Sequence, residues 1–163
     1  TRHYLEHLNN KKVWVSDVQH AGVDFQIDTF GVNGFYSSHS AANVDFPVTF
    51  DLIFAISLFT HLPKQKFREW LTKLVKSLAK GGALVISLHN VNLLNKEVRG
   101  DESNFLFFPE SESLSLSVKE YGTAYVSQQF LQTEVNLLPD AHLSEFFSSG
   151  LCDFHDVAVI RRV

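Results

Sequence analysis

One stretch constrains the fold more than any other, residues 50–90, FDLIFAISLFTHLPKQKFREWLTKLVKSLAKGGALVISLHN. It opens with a near-continuous apolar run, Leu52, Ile53, Phe54, Ala55 and Ile56, which predicts a strand buried on both faces, as in a parallel sheet. Pro63 follows at a position tolerated in a first helical turn. Phe67, Leu71, Leu74, Val75 and Leu78 then recur with the spacing of one helical stripe. Lys64, Lys66, Lys73, Lys76 and Lys80 occupy other positions, and Gly81-Gly82 is expected to stop the helix. Residues 83–88 read as a second buried strand. Strand, helix and strand in that order make a βαβ unit, whose crossover is right-handed and whose strands are parallel.

The flanking chain extends the same alternation. Residues 2–9 place Tyr4, Leu5 and Leu8 on one face and predict a short helix. Val13-Trp14-Val15 predicts a strand ending at Ser16-Asp17. Residues 20–30 predict a helix with Ala21, Phe25 and Thr29 inward and Gly31 as its stop, and residues 34–38 a third strand. Residues 90–120 lack a helical period and are long for a connection. They hold Phe105, Phe107 and Phe108 and the run PESESLSLS. With Tyr121 and Tyr125, these rings either form a lid over a pocket or pack the core beneath the connection. Ser127 is placed to cap a helix that turns Phe130 and Leu131 inward. Residues 141–147 and 154–160 predict two closing strands joined around Ser148-Ser149-Gly150. The expected class is α/β, a three-layer, doubly wound, mostly parallel sheet in one domain of 163 residues.

Composition narrows the function classes. A net charge of −4, with Lys11-Lys12 and Arg161-Arg162 as isolated basic pairs, argues against a nucleic-acid surface. No apolar run reaches the roughly 18 residues of a membrane span. A single cysteine, Cys152, excludes an intrachain disulfide and fits a reducing, cytoplasmic setting. Eight histidines without matched spacing do not predict a metal site. The chain has no methionine and starts at Thr1, which points to a processed product or a part of a longer chain.

Several of these motifs, taken in order, resemble the class I S-adenosylmethionine-dependent methyltransferases. Phe50-Asp51-Leu52-Ile53, followed by Ser57 and His61-Leu62-Pro63, is similar to that family's fourth strand and the turn after it. The run from Leu78 through Gly81-Gly82 to Ile86 is similar to the approach to its fifth strand. Val15-Ser16-Asp17-Val18 resembles its second strand with an acidic end, and residues 154–159 resemble its last strand. The resemblance implies an antiparallel closing strand and an S-adenosylmethionine cofactor. It also implies a small-molecule acceptor attacked through oxygen or nitrogen. The family's first strand and its D/E-x-G-x-G loop have no counterpart here, so an amino-terminally incomplete methyltransferase domain is expected.

The site residues follow from that layout. Asp17, at a strand's carboxyl end, can accept hydrogen bonds from vicinal ribose hydroxyls, or it caps the next helix. Val18 would pack on the nucleoside. Ser38 stands where an acidic residue often meets the adenine amino group, and a backbone group or a plain polar loop is the alternative. Ala55, Ile56 and Ser57 end the strand that faces the transferred methyl. His61 and His89, each just past a strand's carboxyl end, are the candidate general bases. His61 can instead cap or orient the following helix. Direct transfer needs alignment above all, so a base is not obligatory. A non-catalytic methyltransferase-like binding module and a nicotinamide-dependent Rossmann enzyme are the rival classes.

Overall fold

The computed structural model describes residues 2–99, 104–110 and 121–163. Most of the run PESESLSLS lies outside the described residues. The chain forms two compact units, Thr1–Val48 and Thr49–Val163.

The first unit is a small βαβ. Strand β1 (Trp14–Asp17) leads into helix α1 (His20–Phe30), and strand β2 (Asn33–Tyr36) returns parallel to β1 with Asp17 opposite Tyr36. Gly31 ends α1 as the sequence predicts, at φ 62 with its N–H donated to the Ile27 carbonyl. The inward face differs from the expectation. Val23 is buried, while Ala21, Phe25 and Thr29 are exposed. Gly34 is the reason. A Cβ there would lie 2.8 Å from Val23 Cγ1 and 2.7 Å from Ile27 Cδ1, so its bareness lets these side chains approach β2.

Residues 2–9 do not form the expected helix. They contain a 3-10 turn, Tyr4–Glu6, and a second turn at Asn10–Lys12 begins where the Asn9 side chain accepts the Lys11 N–H. Leu8 is 52% exposed, so it gives a short helix here no burial to offset its nucleation cost.

The second unit is a mixed six-stranded sheet with helices. Strand β3 (Phe50–Ala55) runs parallel to β4 (Leu78–Asn90), with helix α2 (Lys64–Lys76) as the crossover. A short helix α3 (Lys96–Arg99) follows, then strands β5 (Phe105–Phe108) and β6 (Thr123–Val126). Helix α4 (Gln128–Asn136) and strands β7 (Ala141–Leu151) and β8 (His155–Arg162) close the chain. The order is β5-β6-β4-β8-β7, with β3 also paired to β4. β8 is antiparallel to both β4 and β7, and β6 is parallel to the last two residues of β4. Among the described residues three of the five strand pairings in this sheet are antiparallel, so it is mixed and not mostly parallel.

Further boundaries shift for local reasons. α2 ends at Lys76, where the Ser77 hydroxyl turns back to the Lys73 carbonyl, and Leu78 already belongs to β4. Gly81 (φ 81) and Gly82 therefore shape an irregularity between the Phe50↔Leu78 and Leu52↔Ala83 pairs and do not stop the helix. β3 is not buried on both faces. Leu52 and Phe54 are 47% and 49% exposed while Ala55 is buried. An apolar run states that burial is favourable, and the tertiary layout decides which faces receive it. The β7–β8 turn falls at Cys152 and Asp153, both with positive φ, beyond the expected Ser148-Ser149-Gly150.

The core lies between this sheet and helices α2 and α4. Phe67 makes edge contacts with Phe59 (4.8 Å between centroids), Phe130 (5.5 Å) and Phe105 (6.0 Å). Phe105 is thus packed in the core against Phe67 and Phe130 and is not part of a lid. Arg68 on α2 reaches the buried Glu134 on α4 through two hydrogen bonds, 2.8 and 2.6 Å, which pins the helices together. No helix among the described residues is long and apolar enough to cross a membrane.

Candidate functional site

Asp17, Val18 and Ser38 belong to the first unit. β1 delivers Asp17 to its carboxyl end, exposed, where one carboxylate oxygen accepts the Gln19 N–H at 2.8 Å. Gln19 is the N-cap of α1, so this bond forms a turn just before the helix and Asp17 does not itself cap α1. An ionised carboxylate has about four acceptor positions, and this bond uses one. The Ser37 N–H donates to the Asp17 carbonyl at 2.9 Å, which holds the chain after β2 against the end of β1. Ser38 lies in that segment, with its hydroxyl accepting the Ser40 N–H at 3.3 Å. Val18 is half-buried beside them. Tyr36, across from Asp17, stacks on His20 at 3.9 Å and donates its hydroxyl to Asp24 at 2.7 Å. That bond to a carboxylate holds the phenol pKa above its ordinary value.

Ala55, Ile56, His61 and His89 belong to the second unit. Ala55 ends β3 and is buried, whereas Ile56 is exposed. The chain then turns sharply, with Ser57 at φ 60. A left-handed serine needs support, and the buried Ser87 hydroxyl on β4 accepts the Ser57 N–H at 2.8 Å. Ser87 has no mark in the sequence, because an inward hydroxyl within an apolar run resembles any small strand residue.

His61 does not cap α2, whose N-cap is Pro63. Its backbone and ring are both tied to Gly122. The Gly122 N–H donates to the His61 carbonyl at 3.0 Å, and the ring Nδ1 lies 2.9 Å from the Gly122 carbonyl. A carbonyl only accepts, so Nδ1 carries the proton and Nε2 of the neutral ring holds the basic lone pair. Tyr121 stacks on the same ring at 4.5 Å and 13°.

His89 lies within β4 and not past its end as expected, paired with Tyr125 of β6. Its ring centroid is 6.4 Å from that of His61, so the two candidate bases meet. Burial is the main force holding its pKa below the ordinary imidazole value. The nearby His155 and His61 rings add to this, and the Ala124 backbone opposes it. The third histidine, His155, stacks on His89 at 4.8 Å and 19°. Sequence reasoning placed residue 155 in a closing strand but gave it no role. Only the antiparallel β4–β8 register brings it to the cluster.

An open cleft of about 530 Å³ lies beside the end of β4, lined by amides and hydroxyls including Asn90, Asn104, Ser127 and Gln132. Among the described residues no group of three or more His, Cys, Asp or Glu side chains is arranged to hold a metal ion.

No protein-family model matches the chain, and no curated protein matches it by sequence. Solved structures do. An S-adenosylmethionine-dependent methyltransferase from Clostridium acetobutylicum ATCC 824 superposes with a TM-score of 0.63 at 10% identity, over 91% of this chain and 74% of that one. Burkholderia thailandensis 1,6-didemethyltoxoflavin-N1-methyltransferase, solved with bound 1,6-didemethyltoxoflavin and S-adenosylhomocysteine, gives 0.64 at 12% identity, over 99% and 65%. OxaC in complex with S-adenosylhomocysteine and oxaline gives 0.65 at 10% identity, over 97% and 37%. The chain thus spans little more than a third of OxaC and just under two thirds of the toxoflavin enzyme. These likenesses are to the fold, and the chain has the fold of the class I S-adenosylmethionine-dependent methyltransferases.

Proposed function

We propose that residues 1–163 form a methyltransferase-like domain, doubly wound and three-layered. In this reading it transfers a methyl group from S-adenosylmethionine to an oxygen or nitrogen nucleophile of a small molecule. The observation that carries this reading is the likeness to methyltransferase structures across nearly the whole chain. The cytoplasm is the proposed setting, in keeping with the free, exposed Cys152.

S-adenosylmethionine, when bound, supplies a methyl group activated on a sulfonium. Asp17 fits it, because the carboxylate is exposed at a strand's carboxyl end with acceptor capacity beyond the Gln19 bond. In this reading Asp17 accepts the ribose hydroxyls and Val18 packs on the nucleoside. Ser38 or its backbone meets the base, and Ala55 and Ile56 border the methyl. His61 and His89 flank the acceptor. His61 offers a lone pair at Nε2, and His89 is held neutral by burial, so either ring can take the proton that an O–H or N–H nucleophile must lose. Orientation of the acceptor supplies the larger share of the acceleration.

Titration calorimetry with S-adenosylhomocysteine tests the reading. Binding is expected, and no heat at millimolar ligand would overturn it. A non-catalytic methyltransferase-like module is the second reading. Cofactor binding without turnover across a panel of hydroxyl and amine acceptors would favour it.

A further inference from the structure

His155 is the side chain at the cluster that no motif marks. The β4–β8 register runs through Ser87↔Val157 to Leu88↔Asp156, so the next positions on the two strands are His89 and His155. Their rings lie nearly parallel, 4.8 Å between centroids and 19° between planes. Phe154 holds the pair edge-on, 5.5 Å from His89 and 5.1 Å from His155. Nδ1 of each ring is buried without a hydrogen-bond partner among the described residues.

We propose that His155 is a positioning residue for His89. It fixes the His89 ring by stacking, and a proton on either ring opposes a proton on the other. Two face-to-face imidazolium rings repel, so the first proton taken by the pair opposes the second. Apart from the Ala124 backbone, the groups facing His89 do not favour its protonation. They are His61 from the β3–α2 turn, Tyr125 from β6, and Phe154 and His155 from the β8 end. None is an anion at neutral pH. The nearest carboxylate in sequence, Asp156, is engaged by the Asn90 side-chain amide and by the Ser149 N–H at 3.0 Å. A phenylalanine at position 155 would anchor the ring equally well, and only a titratable ring couples to it. The use made of a neutral His89 rests on the methyl-transfer reading, whereas the coupling does not.

The test is a pH titration of the histidine ring Cε1–H signals by NMR, in the parent chain and in His155→Phe, which keeps the stack and removes the titrating group. The expected result is a rise in the His89 midpoint toward the ordinary imidazole value. An unchanged His89 midpoint in a folded His155→Phe overturns the proposal and leaves His155 as packing alone. If His155→Phe does not fold, the parent decides. A coupled pair titrates in two separated steps seen by both rings, and independent single-site curves overturn the coupling. Calorimetry with S-adenosylhomocysteine is read separately. Coupled titration without ligand binding removes the methyl-transfer reading only, and binding with uncoupled titration removes this proposal only.

Discussion

His89 carries a pH dependence whose sign is fixed by its surroundings. Its folded-state pKa lies below the ordinary value of 6.5, chiefly through burial. Above that value the ring is neutral in both folded and unfolded chains, and its contribution to stability is complete. As pH falls below it, the unfolded chain takes up the proton first, so stability is lost until the folded ring protonates as well. Denaturant midpoints measured between pH 8 and 5 should therefore fall more steeply for the parent than for His89→Gln, and parallel curves would count against the assignment. If His89 is the base, the acid limb of kcat/KM lies below the ordinary imidazole range for the same reason. Asp17 can be tested without disturbing the turn it closes. Asp17→Asn keeps an oxygen for the Gln19 N–H and removes the charge. It should weaken S-adenosylhomocysteine binding by about tenfold or more while leaving the melting temperature nearly unchanged. Equal affinity in calorimetry would remove the ribose role. Whereas His89 lies within β4 and not past its end, the strand-end position of Asp17 was legible from the sequence. His155 and Ser87 were not, because their importance arises from partners 66 and 30 residues away in the chain.

At the scale of elements, two turns hold the second unit's candidate residues in place. Gly122 has no room for a side chain, since a Cβ there would meet the Phe108 carbonyl oxygen and the Phe107 ring. Gly122→Ala should cost about 2–3 kcal/mol, read as a lower denaturant midpoint, and should displace His61, whose backbone and ring both bond to this residue. The Ser57 turn rests on the Ser87 hydroxyl. Ser87→Ala leaves a strained N–H unpaired and should cost about 1–3 kcal/mol in the same measurement, whereas a neutral result would show that water replaces the hydroxyl. Most elements were recognisable from periodicity and from caps that act locally, such as Gly31 and Ser127. The failures were of faces and ends. α1 turned Val23 inward because Gly34 admits it, and the glycine pair assigned to a helix stop shapes a strand irregularity instead.

On the scale of the second unit as a whole, β4 is the organising strand, paired in turn with β3, β6 and β8 and buried at Leu84, Ile86 and Leu88. Amide hydrogen exchange should be slowest there and fastest at the exposed turn of Cys152 and Asp153, and the reverse order would contradict the sheet order. The Arg68–Glu134 pair joins α2 to α4 with a buried carboxylate. Arg68→Met should lower the melting temperature more than Arg68→Met combined with Glu134→Leu, because the single change strands an uncompensated charge. By itself the sequence determined the alternation of strand and helix, the α/β class, the parallel β3–α2–β4 unit and the strand-end position of Asp17. These are local properties, written in hydrophobic period and in capping chemistry within a few residues. Only the tertiary structure decided that the sheet is mixed, that Leu52 and Phe54 remain exposed, and that His61, His89 and His155 share one cluster. Those outcomes depend on strand register and on which faces other elements cover. Both are set by pairings across long stretches of chain that no local pattern encodes.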